Sequence, residues 1–396
     1  MYKPIHISEN VFYVGVNDRQ KHLFENMIPL PTGVSYNSYL VVDEKVLLVD
    51  TVEVSHVESF LKRIDLILKG RAVDYLVVNH MEPDHSGSIS LVKQKYPNMK
   101  IIGNIKTFRM IEGFYGIKND FHEVKDGDML DLGYHKLSFY LTPMVHWPET
   151  MMTYDATEGI LFSGDAFGTF GALDGGVIDS QINTDRYWDE MRRYYSNIVG
   201  KYGSPVQKAL NKLSTLSVKT ICSTHGPVWR ENIEKVIGIY DKLSRYEGEK
   251  GVVVVYGSMY GNAEKMAEAV AQGLSEGGVK NIIIHNVSKS HPTTIISDIF
   301  LYKGLIIGSP TYSNELYPEI ASLLSKIETR DVKDRVFGYF GSFSWASAAF
   351  KALSGFAERM KWEVVDGCVE QQYTLSEDKE ESFFSLGKAM AEKILK

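Results

Sequence analysis

The two halves of the chain carry different patterns of apolar positions. In the second half, residues 252–256, 305–307 and 336–340 form apolar runs without alternation, and helical stretches separate them. Continuous apolar runs of this length are typical of strands that are buried on both faces of a parallel sheet. Since such strands alternate with helices, the second half predicts a doubly wound α/β sheet.

The first half predicts a different architecture. Residues 38–42, 46–50 and 137–141 have the composition of strands in a mainly antiparallel system, and residues 57–68 have the spacing of an amphipathic helix. Another strand, residues 75–79, leads directly into His80. We expect two sheets with helices outside them.

A boundary between these halves is predicted near residue 248. Residues 231–246 have an apolar face at helical spacing, and the polar residues 247–251, which include two glycines, follow. A chain of 396 residues also exceeds what one core usually supports. We therefore expect two domains, residues 1–247 and residues 251–396.

Composition narrows the functional classes. The net charge of −7 argues against a nucleic-acid partner, which requires a basic face. Cys222 and Cys368 are the two cysteines of the sequence, so neither a disulfide framework nor a thiolate metal cluster is expected. No apolar run approaches the roughly 20 residues of a membrane helix, and residues 1–6 lack the apolar core of a signal peptide. The expected location is the cytoplasm, without a membrane partner.

Potential metal ligands are concentrated where predicted strands end. Residues 80–85 alone supply four of them, and three more follow later apolar runs. Loops after strands are where α/β proteins place their chemistry. The candidate ligands are His80, Glu82, Asp84, His85, His146, Asp165 and His225.

This pattern resembles a known family. The order H-x-x-x-D-H followed by His, Asp and His is similar to that of the metallo-β-lactamase fold, an αββα sandwich with two metals between its sheets. Zinc hydrolases of that fold usually have histidine where this chain has Glu82, and glutamate there marks the flavodiiron family. The resemblance implies that one iron is held by His80, Glu82, His146 and Asp165. It implies that Asp84, His85 and His225 hold the other iron, with Asp165 as the bridge.

The chemistry of this donor set agrees with iron. The set suits iron that cycles between the ferrous and ferric states, because anionic carboxylate oxygens stabilise the higher charge of the ferric ion. A bridging carboxylate is compatible with a metal–metal distance of about 3.5–4 Å, the usual spacing in two-metal sites. Two irons can deliver two electrons together, which avoids release of an oxygen radical.

The second half carries a candidate flavin site on three loops. The loop after residues 252–256 precedes a helix, so its N–H groups and the helix dipole favour a phosphate. It resembles the flavodoxin phosphate loop, although Tyr260 and Ala263 replace two threonines. The other two loops follow the apolar runs at residues 305–307 and 336–340. In flavodoxins these two loops clasp the isoalloxazine ring, and Trp345 and Tyr312 are the candidates to stack on it. The predicted FMN-binding residues are Ser258, Met259, Tyr260, Gly261, Asn262, Ala263, Ser309, Pro310, Thr311, Tyr312, Ser313, Asn314, Gly341, Ser342, Phe343, Ser344 and Trp345.

The resemblance adds four candidates near the irons. Trp147 belongs to a His-Trp-Pro segment of the family and either walls the substrate pocket or packs in the core. Tyr194 and Tyr195 match a tyrosine pair of which one phenol can reach bound O2 or NO, with core packing as the alternative for either. Glu25 occupies the place where some members carry a loop histidine.

The function that the resemblance implies is electron transfer from FMN to a non-haem di-iron centre that reduces O2 to water, NO to N2O, or both. This activity would protect an anaerobic type of metabolism. The sequence has no Cys-x-x-Cys pair, so we expect a separate electron donor, rubredoxin or a reduced deazaflavin. The family also implies a head-to-tail homodimer, with a tetramer as a further possibility.

Two other functions stay open at this point. One is a zinc-dependent hydrolase of the metallo-β-lactamase fold with a flavodoxin module. The other is an electron-carrying binding protein with a vestigial metal site. Glu82 and the three flavin loops argue against the first, and the complete set of ligands argues against the second.

Overall fold

The computed structural model describes residues 3–396, which divide into two compact units. One unit extends to Tyr195 and includes Ser204–Asp241, and the other comprises Ser196–Gly203 and Lys242–Lys396. Within residues 3–396, no helix combines the length and the apolar character needed to cross a bilayer.

The first part of the chain is rich in short strands. The strands up to residue 223 are β1 (Ile5–His6), β2 (Val11–Tyr13), β3 (Val16–Asp18), β4 (Leu23–Phe24), β5 (Ile28–Pro29), β6 (Val34–Tyr36), β7 (Tyr39–Val42), β8 (Val46–Val49), β9 (Tyr75–Val77), β10 (Lys100–Gly103), β11 (Phe121–Glu123), β12 (Met129–Asp131), β13 (Lys136–Leu141), β14 (Met151–Asp155), β15 (Ile160–Gly164) and β16 (Thr220–Ser223). The helices up to residue 244 are α1 (Val57–Leu68), α2 (Pro83–Ser86), α3 (Ile89–Lys95), α4 (Ile105–Tyr115), α5 (Asp185–Tyr194), α6 (Gly203–Leu213) and α7 (Ile233–Ser244).

Two main sheets form from these strands. One has the order β1-β2-β7-β8-β9-β10-β11, and the other has the order β12-β13-β14-β15-β16. The expectation of a mainly antiparallel system is wrong for part of the first sheet, because β8, β9, β10 and β11 are parallel neighbours. The helix α1 lies between β8 and β9 in sequence, and such a crossover returns the chain in the same direction. The β15–β16 pair is parallel as well.

The elements on either side of the predicted boundary have slightly different bounds from those expected. The helix α7 begins at Ile233 rather than at residue 231. The N–H groups of Glu231 and Asn232, which precede it, donate to the Asp179 carboxylate at 3.0 and 2.9 Å. The polar residues 247–251 are only partly a connection, since the next strand begins at Glu249.

The second part of the chain forms a parallel sheet. Its strands are β17 (Glu249–Tyr256), β18 (Ile282–Asn286), β19 (Tyr302–Tyr312), β20 (Glu315–Leu316), β21 (Val336–Phe343), β22 (Glu363–Val364) and β23 (Val369–Gln372), and its helices are α8 (Asn262–Glu276), α9 (Pro292–Leu301), α10 (Pro318–Thr329), α11 (Ala349–Met360) and α12 (Glu377–Leu395). The order is β18-β17-β19-β21-β22, with β23 also paired to β21 and the short β20 antiparallel to β19. This is the doubly wound sheet that the sequence predicts.

Candidate metal centre and flavin site

Strand ends bring the seven candidate metal ligands together. His80 lies three residues beyond β9, while Asp165 follows β15 directly and His225 lies two residues beyond β16. His146 comes from the connection between β13 and β14, and the remaining three ligands lie on or beside the short helix α2. All seven side chains are buried.

One set of ligand atoms surrounds His146. Its Nε2 atom lies 3.0 Å from Glu82 Oε2, 3.2 Å from Asp165 Oδ2 and 3.2 Å from His80 Nε2. The His80 Nε2 atom is also 3.5 Å from Glu82 Oε2 and 3.6 Å from Asp165 Oδ2. Two imidazoles and two carboxylates therefore converge on one point.

A second set forms on the other oxygen of Asp165. Asp165 Oδ1 lies 3.2 Å from His85 Nε2 and 3.6 Å from His225 Nε2. Asp84 offers Oδ1 at 3.5 Å from His85 Nε2 and Oδ2 at 3.1 Å from His225 Nε2. Each carboxylate oxygen of Asp165 thus belongs to a different set.

The unsatisfied atoms of the second set fit a cation. In the described part of the chain, both carboxylate oxygens of Asp84 and the Nε2 atoms of His85 and His225 are buried without a hydrogen-bond partner. Burial of such atoms is costly unless a partner or a metal compensates. Nitrogen and oxygen donors arranged in two sets around a shared carboxylate are suited to two metal ions.

Residues behind the ligands orient the imidazole rings. His80 Nδ1 donates to Glu149 Oε1 at 2.6 Å, and His225 Nδ1 donates to the carbonyl oxygen of Ser35 at 2.8 Å. These bonds fix the tautomer that turns Nε2 toward the site. Thr224 Oγ1 donates to Asp165 Oδ1 at 2.5 Å. Sequence reasoning missed Glu149, although an acidic residue three positions after His146 was a signal, and no sequence signal marks Ser35.

The carboxylates and imidazoles of the site shift each other's pKa values. Although burial opposes it, hydrogen bonds to Asp165 and Glu82 raise the pKa of His146 to about 10. Burial also works against ionisation of Asp165, but the imidazoles of His85, His146 and His80 hold its pKa well below the usual range. Carboxylates and imidazoles therefore compensate each other's charge before any metal is considered.

Trp147 and Glu25, two of the four further candidates, lie beside the metal ligands. The Trp147 ring is 5.1 Å from the His80 ring in an edge-on arrangement. Glu25 lines a cavity of about 550 Å³ together with Glu82 and Asp84. Burial and the neighbouring Glu82 raise the pKa of the Glu25 carboxyl to about 7.

The two tyrosines have different surroundings. The Tyr194 ring lies 5.7 Å from the His225 ring, and its buried hydroxyl finds no hydrogen-bond partner within residues 3–396. The Tyr195 ring packs on Tyr240 at 5.0 Å, because adjacent residues on a helix point in different directions. Sequence reasoning missed Tyr36 on β6, whose ring is 6.0 Å from the ring of His225.

The candidate flavin loops meet around a cavity of about 310 Å³ in the second unit. Predicted residues that line it are Ser258, Met259, Tyr260, Asn262, Ala263, Pro310, Thr311, Ser342, Phe343 and Ser344. Gly261 has a left-handed φ of 87° at the start of α8, and its N–H donates to Ser258 Oγ. A phosphate group fits this end of the cavity, because the first N–H groups of a helix have no partner within the helix.

Other predicted flavin residues do not line this cavity. They are Gly261, Ser309, Tyr312, Ser313, Asn314, Gly341 and Trp345. Ser309 is buried and its hydroxyl accepts a hydrogen bond from the Tyr317 N–H, so its contribution is to the loop. Trp345 is 87% exposed. Sequence reasoning missed Tyr373 and Thr374, which line the cavity from the segment after β23.

Comparison with known proteins covers both halves. Residues 34–226 match the model of the ODP family beta lactamase, and residues 254–385 match the flavodoxin model. A nitric oxide reductase of Moorella thermoacetica is 32% identical over 365 residues, 91% of this chain and 90% of that protein.

Solved structures agree over the whole chain. Rubredoxin oxygen:oxidoreductase from Desulfovibrio gigas is 28% identical with a TM-score of 0.95, and the match covers 99% of each chain. The flavodiiron protein from Giardia intestinalis is 27% identical with a TM-score of 0.96, over 100% of this chain and 97% of that one.

These matches confirm the expected fold class, a metallo-β-lactamase-like domain followed by a flavodoxin-like domain. The chain belongs to the flavodiiron proteins, oxidoreductases that combine FMN with a non-haem di-iron centre.

Proposed function

We propose that this protein passes electrons from FMN to a two-iron centre that reduces O2 to water, NO to N2O, or both. The observation that carries the proposal is Asp165, which offers one carboxylate oxygen to each of two sets of buried ligands. A nitric oxide reductase and a rubredoxin oxygen:oxidoreductase among the similar proteins support both gases as substrates.

Seven side chains would hold the metals. His80, Glu82 and His146 would bind one iron, Asp84, His85 and His225 the other, and Asp165 both. When bound, the irons supply paired electrons and open positions for a diatomic gas. The carboxylates carry the negative charge that balances two cations in a buried place, where an unpaired charge would be costly.

Polar groups around the ligands would act on the gas. We assign Tyr194 as the hydrogen-bond donor of the predicted tyrosine pair, because its buried hydroxyl lacks a partner in the described structure and its ring faces His225. Trp147 would wall the site beside His80. Glu25 would place a carboxyl in the cavity on the Glu82 side and bias the choice between O2 and NO.

The flavin would bind in the second unit. FMN supplies one-electron and two-electron transfer when bound, and the loop at Gly261 would hold its phosphate. Trp345 and Tyr312, both exposed, would cover the ring. We keep residues 1–247 and 251–396 as the proposed domains.

The proposed donor and assembly are those of the family that the chain belongs to. A separate rubredoxin is the proposed electron donor, supported by the rubredoxin oxygen:oxidoreductase among the similar structures. A reduced deazaflavin is the alternative. We propose a head-to-tail homodimer in the cytoplasm, in which the flavin of one subunit serves the irons of the other, with a tetramer as a further level.

Steady-state turnover tests the function. Purified protein with reduced rubredoxin as donor should consume O2 or NO, with water or N2O as product, and should contain two irons and one FMN per chain. Protein that carries zinc, leaves both gases unreduced and hydrolyses an ester or lactam substrate would instead be the zinc hydrolase with a flavodoxin module.

A further inference from the structure

A second cavity of the first unit is lined by residues of the strands that lead to two metal ligands. Its volume is about 250 Å³, and it is lined by Leu161, Phe167, Leu210, Leu213, Ser214, Leu216, Val218, Ile221, Ile233 and Ile237. Every lining residue except Ser214 is apolar, and Ser214 is exposed. The side chains that line the cavity are thus apolar except for the hydroxyl of Ser214.

Residues of the cavity wall are close in sequence to the metal ligands. Leu161 lies on β15, the strand that leads to Asp165, and Ile221 lies on β16, the strand that leads to His225. Phe167, which lines the cavity, lies two residues after Asp165. The loop after β15 therefore has a metal ligand at one end and the cavity wall at the other.

Phe167 and Gly168 are the layer between the two spaces. Phe167 has a φ of 68°, a left-handed conformation that is uncommon for a bulky residue and is held only where its surroundings impose it. Trp229 Nε1 donates to its carbonyl oxygen at 3.0 Å, and Tyr240 packs on its ring at 4.7 Å.

Gly168 brings this layer into contact with the centre. A Cβ atom at Gly168 would lie 2.9 Å from the Asp165 carbonyl oxygen. It would also lie 3.4 Å from Tyr194 Cε1 and 3.5 Å from His225 Cβ. A single residue without a side chain thus separates the Phe167 wall from Tyr194 and His225.

We propose that this cavity is a binding site for the apolar gas substrate and supplies the metal centre past Phe167 and Gly168. The inference rests on the proposed reduction of O2 or NO. Neither gas carries a charge, and both partition into apolar surroundings, whereas a wall without charged residues offers nothing to an ion or a polar metabolite. A volume of about 250 Å³ is below the roughly 300–1,000 Å³ of pockets for larger ligands.

Xenon reports on such a site independently of the metals and the flavin. Apolar cavities of about 150 Å³ stay dry and bind xenon, so crystals of the holoprotein under xenon pressure should show an atom between Phe167 and Leu213. Absence of xenon from the wild-type cavity would overturn the proposal.

Filling the cavity tests whether the gas uses it. Ile237→Phe and Leu210→Phe each add a ring from a half-buried position that lines the cavity. Ile239→Phe is the matched control, since Ile239 is a half-buried isoleucine of the same helix α7 that does not line the cavity. The two filling variants should exclude xenon and lower the second-order rate of reoxidation of the fully reduced enzyme by gas several-fold. Iron content, FMN content and the rate of reduction by the donor should stay unchanged.

The outcomes separate this proposal from the function on which it rests. Equal gas reoxidation rates in wild type, Ile237→Phe and Ile239→Phe would show that the gas arrives elsewhere and would overturn the proposed route. A wild-type enzyme that binds xenon but reduces neither gas would overturn the proposed function, and with it the role of the cavity.

Discussion

The protein by itself arranges the side chains of the metal centre more completely than those of the flavin site. Around the metals, the ligand atoms are buried, lie about van der Waals distance apart and are oriented by hydrogen bonds such as that from His80 to Glu149. Around the flavin cavity, several of the largest side chains are exposed, including Tyr260 at 97% and Trp345 at 87%. A buried charged centre must be satisfied within the fold, whereas a site for a large planar cofactor can stay open until the cofactor fills it.

The difference has a physical cause in the ligands themselves. A metal ion offers only short contacts, so its donors must be placed closely, here by strand ends of both sheets of the first unit. A flavin offers a large apolar face and a phosphate, so loop backbone and a few aromatic rings are sufficient. Mutations should therefore have sharp effects at the first site and graded effects at the second.

The largest expected effect is at Asp165. Asp165→Ala removes the carboxylate shared by both ligand sets, so both irons should be lost and gas reduction abolished, while FMN remains bound. Metal analysis and the flavin absorbance of the purified variant measure this. Retention of two irons with full activity would refute the assignment of Asp165 as the bridge.

Mixed dimers test whether the two sites cooperate across subunits. A His80→Ala chain should lack a complete iron site, and a Gly261→Trp chain should lack FMN because a bulky residue at a φ of 87° distorts the phosphate loop. Each homodimer should be inactive, and mixing under conditions of subunit exchange should restore part of the activity. Demonstrated exchange without recovered activity would mean that electrons stay within one chain.

Glu149 should show an intermediate effect at the metal centre. Its carboxylate accepts from both His80 Nδ1 and the Met81 N–H, so Glu149→Gln weakens the orientation of one imidazole without removing a ligand. Loss of such a supporting bond typically costs about 10–100-fold in metal affinity or activity. Competition with a chelator measures the affinity, and Glu123→Gln, at an exposed glutamate of β11, serves as the control. Equal chelator resistance of both variants would remove Glu149 from this role.

Most of the metal centre could be predicted because its ligands are local signals. Each ligand follows a strand end in the sequence, and the glutamate at position 82 distinguishes the set from a zinc hydrolase pattern. Its supporting contacts could not be predicted, since Ser35 and His225 are 190 residues apart in sequence and meet only in the folded structure.

The fold shows the same division between local and distant information. Periodicity predicts α1 at Val57–Leu68, in agreement with the structure. The start of α7 was predicted two residues early, and the N–H groups before it bind the distant Asp179, a contact that periodicity cannot indicate. The parallel direction of β8 to β11 was not predicted, because a single strand contains no direct signal of the direction of its neighbours. In the flavin site, Tyr373 was missed because it follows a short polar strand without an apolar run.

Trp345 should have a graded effect at the flavin site. Its exposed indole becomes buried if it covers the isoalloxazine ring, and such aromatic contacts contribute about 0.5–1.5 kcal/mol beyond the buried area. Trp345→Ala should therefore weaken FMN retention several-fold and shift the flavin potentials, with the irons unaffected. Tyr134→Ala, an exposed aromatic residue outside the flavin loops, is the control. An unchanged FMN affinity and spectrum would reject the stacking role.

The smallest expected effect concerns a buried polar pair that is not part of the metal centre. His135 Nδ1 donates to Asp155 Oδ2 at 2.7 Å, and both side chains are buried. Burial lowers the pKa of His135, but the bond to Asp155 outweighs it and raises the pKa above its usual value.

A histidine whose pKa is higher in the folded state stabilises the protein below its unfolded pKa of about 6.5, and this contribution is lost as pH rises through the folded pKa. The difference in free energy of unfolding between wild type and His135→Gln should thus be larger at about pH 5.5 than at high pH, by about 1 kcal/mol for one charge-assisted bond. Thermal or denaturant unfolding of both proteins at each pH measures it, and a difference that is constant with pH would mean that His135 is neutral in the folded protein.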